Sequence, residues 1–296
     1  MSEGTDNALL ERFEQEIWSK VPHLEEGSET KVVNATPLVD MTADFKECAK
    51  SVFKLDLDNA DLKVFGKMDS TLLTGSIKVR PAANIIHDAI VTGKLKSGQT
   101  VIEATSGNFG IALGLLSKLE LNVIALVSRK LQEGVFEELR NVNIHTMDLD
   151  MDICPAPGME GKQDLLVAKA SAANIRSQLS NFGFDTDIFD KAGSEIESLL
   201  ASQDIINLAK FLAKIYGFFC PAQYDNQLNI EAHRTVTAAE IDQQLHEKGD
   251  SLEGYNIFCT FGTGGTSGGL SRYISEKYGK KSVYVIYLST NQDGAG

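Results

Sequence analysis

The sequence predicts an α/β protein of two domains, with parallel or mostly parallel sheets flanked by helices. Three observations carry that expectation. Short buried-type strands alternate with helix-length segments between residues 100 and 147. Two strands run straight into glycine turns that open helices, at Thr105-Ser106-Gly107-Asn108-Phe109-Gly110 and at Phe261-Gly262-Thr263-Gly264-Gly265-Thr266. The chain has 296 residues, 43% hydrophobic and 23% charged, which is enough to bury the cores of one or two domains.

Taken in order, Leu9, Leu10, Phe13, Ile17 and Trp18 fall at helical spacing with acids between them, so residues 5–20 read as an amphipathic helix. An acidic, loop-like stretch follows. Asn34-Ala35-Thr36-Pro37-Leu38-Val39 is extended, because the residue before a proline avoids the α region. Residues 52–57 alternate like a strand, and 63–67 read as a second. Residues 76–92 form a helix with Pro81 tolerated in its first turn and Gly93 at its end. Then come a strand at 100–104, a helix at 109–119, a strand at 122–127, a helix at 131–140 and a strand at 142–147. That rhythm predicts right-handed βαβ units and a parallel sheet covered on both faces. Pro155-Ala156-Pro157-Gly158 is a turn region, and residues 164–179 are helical up to a break at Asn181-Phe182-Gly183-Phe184. Helices at 205–216, 230–246 and 266–278 and strands at 256–261 and 282–288 complete the reading.

Composition narrows the function. A net charge of −13 with no basic cluster excludes a nucleic-acid backbone as partner. No apolar run approaches the roughly 20 residues that span a bilayer, so no membrane role is expected. Cys48, Cys154, Cys220 and Cys259 form no CxxC pair and read as free thiols of a reducing, cytoplasmic compartment. The polar, acidic start is no signal peptide. No His/Cys/Asp spacing suggests a metal site, and His87 and His233 read as packing or surface residues of helices. Ser106 lacks the nucleophile-elbow pattern, and no Gly-Lys-Ser/Thr follows Gly262 to make a Walker loop.

A glycine turn between a strand and a helix points free N–H groups into the crevice, so both turns are potential anion sites at the carboxyl ends of strands. Upstream, Leu73-Thr74-Gly75-Ser76-Ile77-Lys78-Val79-Arg80 sets one lysine among small residues near a helix start. A partly buried lysine there has a lowered pKa, which suits Schiff-base chemistry. An imine-forming amine, a carboxylate cradle and a phosphate cradle together point to a pyridoxal phosphate enzyme.

Five strings sharpen this: Asn34-Ala35-Thr36-Pro37-Leu38, Gly75-Ser76-Ile77-Lys78, Glu103-Ala104-Thr105-Ser106-Gly107-Asn108, Gln223-Tyr224-Asp225-Asn226 and Gly262-Thr263-Gly264-Gly265-Thr266. In this order the chain resembles the cysteine synthase and cystathionine β-synthase branch of the fold-type II pyridoxal phosphate enzymes, which share a tryptophan synthase β-like fold. The resemblance runs from about Asn34 to Leu288. It implies that Lys78 holds the cofactor and then removes the substrate α-proton. It implies that Asn108 bonds the cofactor's ring hydroxyl oxygen and that Gly262, Thr263, Gly264, Gly265 and Thr266 hold its phosphate. Thr105, Ser106, Gly107, Asn108 and Gln223 are implied to cradle the substrate carboxylate. The implied reaction is β-replacement through an aminoacrylate, by default L-cysteine from O-acetylserine and sulfide, in a homodimer. Homocysteine or an amine as nucleophile, and a non-catalytic relative that binds a partner, stay open as alternatives.

The implied N-terminal domain covers 37–225 and carries the lysine and the carboxylate loop. The implied C-terminal domain covers 226–296, with 1–36, and carries the phosphate loop. Three departures from the family stand out. Val79 replaces the usual acidic residue before the arginine. The interval from Thr105 to Gln223 is long, with surplus around 170–204 that reads as a solvated helical insertion near the active-site mouth. The chain also stops where the family continues, so the C-terminal domain is expected to be incomplete and the partner of the pyridine nitrogen has no candidate.

Overall fold

The computed structural model describes residues 5–105, 107–128, 133–149, 165–260, 262–279 and 285–288. Helix α1 (Asn7–Glu16) starts on Asp6, whose side chain accepts the Leu9 N–H and satisfies a free donor of the first turn. Two short antiparallel pairs follow: β1 (His23–Leu24) with β2 (Val32–Val33), then β3 (Leu38–Asp40) with β4 (Phe65–Lys67). Helix α2 (Thr42–Phe53) lies between β3 and β4. The strand expected at 52–57 is absent. Val52 and Phe53 end α2, Lys54 caps it in the left-handed conformation, and the N–H groups of Lys54 and Leu55 both return to Ala49 O. The helix thereby satisfies the backbone groups that a strand would have needed a neighbour to pair.

The central sheet is built from β5 (Thr100–Ala104), β6 (Asn122–Ser128) and β7 (Ile144–Leu149), all parallel and in that order. Helix α3 (Val79–Val91) precedes β5, and α4 (Asn108–Leu113) and α5 (Glu133–Asn141) lie between the strands. Phe219 adds a parallel bridge beside Val101. Strand side chains alternate between two cores, as a period of two requires. Val101, Val123, Ala125 and Val127 pack with Phe13, Ile86 and Phe109 from the N-terminal helices. Ile102, Ala104, Ile124 and Leu126 face the other way.

That second face is covered by α6 (Leu165–Asn181), α7 (Thr186–Lys191), α8 (Gly193–Ala201) and α9 (Ile205–Tyr216). Residues 170–204 are therefore a core layer and not a solvated appendage: Ile175, Leu179, Phe189, Ile196 and Leu200 are buried against the sheet. The turn expected at 155–158 lies outside the described residues.

After α9 come α10 (Gln227–Ala232), a π turn (His233–Thr237), α11 (Ala238–Glu247), β8 (Ile257–Thr260), α12 (Gly265–Tyr278) and β9 (Val285–Leu288), with short 3₁₀ helices elsewhere, one of them (Gly114–Leu119) continuing α4. Strands β8 and β9 pair in parallel. The expected helix at 230–246 thus forms with a π turn inside it. Among the described residues no helix is long and apolar enough to cross a membrane.

A buried ionic network ties these parts together. Arg80 on α3 donates to Glu240 Oε2 on α11 at 2.6 Å, to Asp69 Oδ1 at 2.7 Å and to Thr36 Oγ1 at 3.1 Å. Lys67 at the end of β4 donates to Glu240 Oε1 at 2.6 Å and to Thr36 O at 2.6 Å. Burial pushes the Glu240 carboxyl up, but the hydrogen bond and charge of Arg80, with Lys67, hold it below its ordinary range. Glu240→Ala takes away the carboxylate of Lys67 and one of the two that Arg80 holds, so chemical denaturation is expected to show a loss of about 3–5 kcal/mol. Lys50→Ala, at the exposed pair with Asp58, is expected to leave stability nearly unchanged.

Candidate active site

Lys78 is the N-cap of α3, and a helix that packs against both α4 and α10 begins there. The approach turns at Gly75, whose φ of 65° is the left-handed conformation that glycine adopts without strain. Lys78 is half-buried, burial lowers the pKa of its amine, and no described carboxylate pairs with it. Its neighbour Val79 is buried in the apolar core beside Phe13 and Ile17 of the N-terminal segment. The acid that Val79 displaces is not missed by Arg80, which finds its anions in Asp69 and Glu240.

The first glycine turn is organised by Thr105. Its Oγ1 accepts the N–H of Gly107 at 3.2 Å and of Gly110 at 3.1 Å, and its own N–H donates to Leu126 O on β6. Gly107 has φ 138°, which admits only glycine comfortably. Asn108 follows at the start of α4 with its side chain exposed. Ser106 lies outside the described residues.

Gln223 is brought to the same place from far along the chain. It is buried, its Nε2 donates to Ala104 O at 3.2 Å, and its backbone N–H donates to Glu103 Oε2 at 3.4 Å. The preceding residue, Ala222, has φ 52°, so this turn holds a non-glycine residue in the left-handed region. Glu103 also takes the backbone N–H of Ala222 and of Ala104; burial nevertheless pushes its carboxyl up to about 8.

The second glycine turn runs from Gly262 into α12. Gly264 has φ 76° and is the N-cap. Thr263 Oγ1 accepts from Asn229 Nδ2 at 2.9 Å and faces the Gly265 N–H at 3.4 Å. Thr266 Oγ1 lies 3.4 Å from His233 Nε2, and His233 Nδ1 lies 3.0 Å from Thr237 Oγ1. His233 is buried, and its pKa falls to about 3 through desolvation, reinforced by the charges of Arg80 and Lys78. It is therefore neutral at physiological pH. The charge of Lys78 is felt at a residue that touches Thr266, so the lysine and the second turn share one electrostatic neighbourhood. Asn229, Glu103 and the contact of His233 with Thr266 were not singled out from sequence. The spacing of Asn229 and His233, four apart on one helical face, was the available signal.

Residues 35–293 match the family described as pyridoxal-phosphate dependent enzymes. The chain belongs to that family. Pyridoxal phosphate is the cofactor on which its members depend. Within the pyridoxal phosphate-dependent family, the chain is 25% identical over 258 residues to a cysteine synthase of Staphylococcus aureus (strain Mu50), which covers 87% of this chain and 63% of that protein. It is 30% identical over 205 residues to the cystathionine beta-synthase of Dictyostelium discoideum, across 69% of this chain and 31% of that one. Among solved structures it resembles O-ureido-L-serine synthase at 25% identity and a TM-score of 0.52, over 76% of this chain and 55% of that one. An O-acetylserine dependent cystathionine beta-synthase from Helicobacter pylori, 20% identical with a TM-score of 0.54, shares the fold over 90% of this chain and 66% of that one. The chain spans 63% of the length of the cysteine synthase it matches.

Glu103 gives the site a pH signature. Its pKa of about 8 in the fold exceeds the ordinary 4.5, so the folded protein keeps a proton that the unfolded chain has lost between those values. The stability it contributes is full at low pH and is lost as pH rises through about 8. Denaturation of wild type and Glu103→Gln across that window is expected to diverge by up to about 1.4 kcal/mol per pH unit, with wild type falling relative to the variant.

Proposed function

We propose that this chain carries out β-replacement on an O-activated serine, in the manner of a cysteine synthase, making L-cysteine from O-acetylserine and sulfide. The observation that carries the reading is the desolvated amine of Lys78, unpaired among the described residues, in the charge neighbourhood of the glycine turn at 262–266. The residues fit pyridoxal phosphate. Desolvation raises the fraction of Lys78 present as the free amine, the form that condenses with an aldehyde. A glycine turn with Gly264 left-handed, leading a fourteen-residue helix, presents N–H groups to a phosphate. The cysteine synthases among the relatives support the substrate choice.

In this reading Lys78 holds the cofactor covalently and later takes and returns the proton on the substrate α-carbon. Pyridoxal phosphate, when bound, supplies the electron sink that makes that proton acidic. Thr105, Ser106, Gly107, Asn108 and Gln223 receive the substrate carboxylate, and Asn108 also bonds the cofactor's ring hydroxyl oxygen. Gly262, Thr263, Gly264, Gly265 and Thr266 hold the phosphate. Although the whole chain carries −13, the charges of Arg80 and Lys78 are felt at His233, beside the second glycine turn. The reading divides the chain into a lysine domain at 37–225 and a phosphate domain at 226–296 with 1–36, assembled as a homodimer. The reading places the chain in a reducing cytoplasm, where Cys48, Cys220 and Cys259 would stay free thiols.

The relatedness to cystathionine beta-synthases favours homocysteine as a second nucleophile to be tried. The test is the visible absorbance of the protein with pyridoxal phosphate, followed by O-acetylserine and then by sulfide, homocysteine or an amine. A lysine-bound cofactor band that changes with O-acetylserine and recovers with sulfide is the expected result. Recovery with homocysteine or the amine alone would replace the cysteine synthase assignment. Lys78→Ala is expected to remove the band and lower turnover roughly 10²–10⁴-fold. Full partner binding with no band in wild type would instead favour a non-catalytic relative.

A further inference from the structure

Asn229 belongs to none of the motifs read from the sequence, yet its side chain joins two of them. It sits on α10 and is buried. Its Nδ2 donates to Gln223 O at 2.9 Å and to Thr263 Oγ1 at 2.9 Å. Gln223 in turn is fastened to the end of β5 through Ala104 O and Glu103. One line of hydrogen bonds therefore runs from the strand before the first glycine turn, through Gln223 and Asn229, to the second.

The amide has one workable orientation. Gln223 O can only accept, so the NH₂ end must point there. That leaves Oδ1 buried with no donor among the described residues. It lies against Gly265, where an added Cβ would collide with it. A buried acceptor left without a donor costs stability, so this geometry is not explained by stability alone.

The consequence falls on Thr263. Its hydroxyl has one proton and two lone pairs. Asn229 Nδ2 and the Gly265 N–H both address the oxygen. With its lone pairs engaged, the hydroxyl keeps its proton for an outside acceptor, and an anionic phosphate in the turn is such an acceptor.

We propose that Asn229 is a positioning residue that orients the Thr263 hydroxyl toward a phosphate and couples occupancy of the 262–266 turn to the order of the Gln223 turn. The coupling rests on the cofactor and carboxylate assignments given under the proposed function. Filling the phosphate turn would thus fix in advance the residue that receives the substrate carboxylate.

The test combines titration of the protein with pyridoxal phosphate and hydrogen–deuterium exchange at residues 221–226, with and without the cofactor. In wild type, the cofactor is expected to slow exchange in that segment. Asn229→Ala is expected to bind the cofactor about tenfold more weakly, the effect of one lost hydrogen bond, and to show no cofactor-induced slowing there at saturation. Thr263→Val, on a partly exposed turn, breaks the same link without opening a core cavity, and Thr263→Ser restores it. The double variant is expected to bind no more weakly than the weaker single one. Retained slowing in folded Asn229→Ala or in Thr263→Val overturns the coupling and leaves Lys78 and the cofactor reading intact. Failure of wild type to bind pyridoxal phosphate overturns both.

Discussion

The placement of Lys78 depends on the salt bridge between Arg80 and Glu240. One residue, Val79, separates the lysine from that arginine, and both side chains of the pair are buried. A buried cation must be neutralised, so the position of α3 is fixed relative to α11 wherever the network holds. Asp69 and Lys67 complete a set of two acids and two bases, and Thr36 fills the space between them with its backbone and its hydroxyl. Segments from residues 36, 67–69, 80 and 240 are thereby locked together before any ligand arrives. Val79 fits this scheme: with the charge partners of Arg80 supplied from elsewhere, the adjacent position is free to serve the apolar core beneath α1.

The same charges bear on how a strongly acidic chain would receive the anions proposed for it. Whole-chain charge acts through water and salt, whereas the groups near the site act through protein. Lys78 and Arg80 lie close enough to depress His233, which stays uncharged between the network and the second glycine turn. A neutral imidazole there exchanges hydrogen bonds with Thr237 and Thr266 without adding a third cation. On the other side, Glu103 is held mostly protonated below about pH 8 by burial, so it places little negative charge behind the first turn.

What was legible in the sequence follows from how local each cause is. Glycine turns and the strands that lead into them are dictated within about ten residues by backbone sterics and period-two patterning, and the β5–α4–β6–α5–β7 run formed in the expected order, the helix expected to 119 turning 3₁₀ from Gly114. The strand expected at 52–57 failed because alternation over six residues does not reveal whether a neighbouring strand exists, and α2 took its first two residues. Residues 170–204 read as surplus because their burial depends on a sheet contributed by other segments. Glu240 and Asn229 were silent for the same reason, and Glu103 stood only within a string, with no role of its own. Each is an ordinary polar residue of a helix or strand until the fold sets it against a partner 120 to 204 residues away, or, for Asn229, against a turn 34 residues on.

That last contact depends on how closely α12 approaches α10 and the π turn. Gly265 faces Asn229, and four residues on Gly269 faces His233, so two glycines one turn apart meet two side chains one turn apart. A Cβ at Gly269 would lie 2.5 Å from His233 Cβ and 2.7 Å from both Arg234 N and Ile230 O, closer than packed atoms tolerate. The two glycines thus set the interaxial distance. That distance brings the amide of Asn229 and the imidazole of His233 within reach of Thr263 and Thr266 at the mouth of α12. The π turn at 233–237 adds to this by adjusting the helix where His233 leaves it, a use of π geometry common at functional sites. Gly265, which reads in the sequence only as part of a loop for an anion, is with Gly269 equally the condition for the side chains that reach that loop.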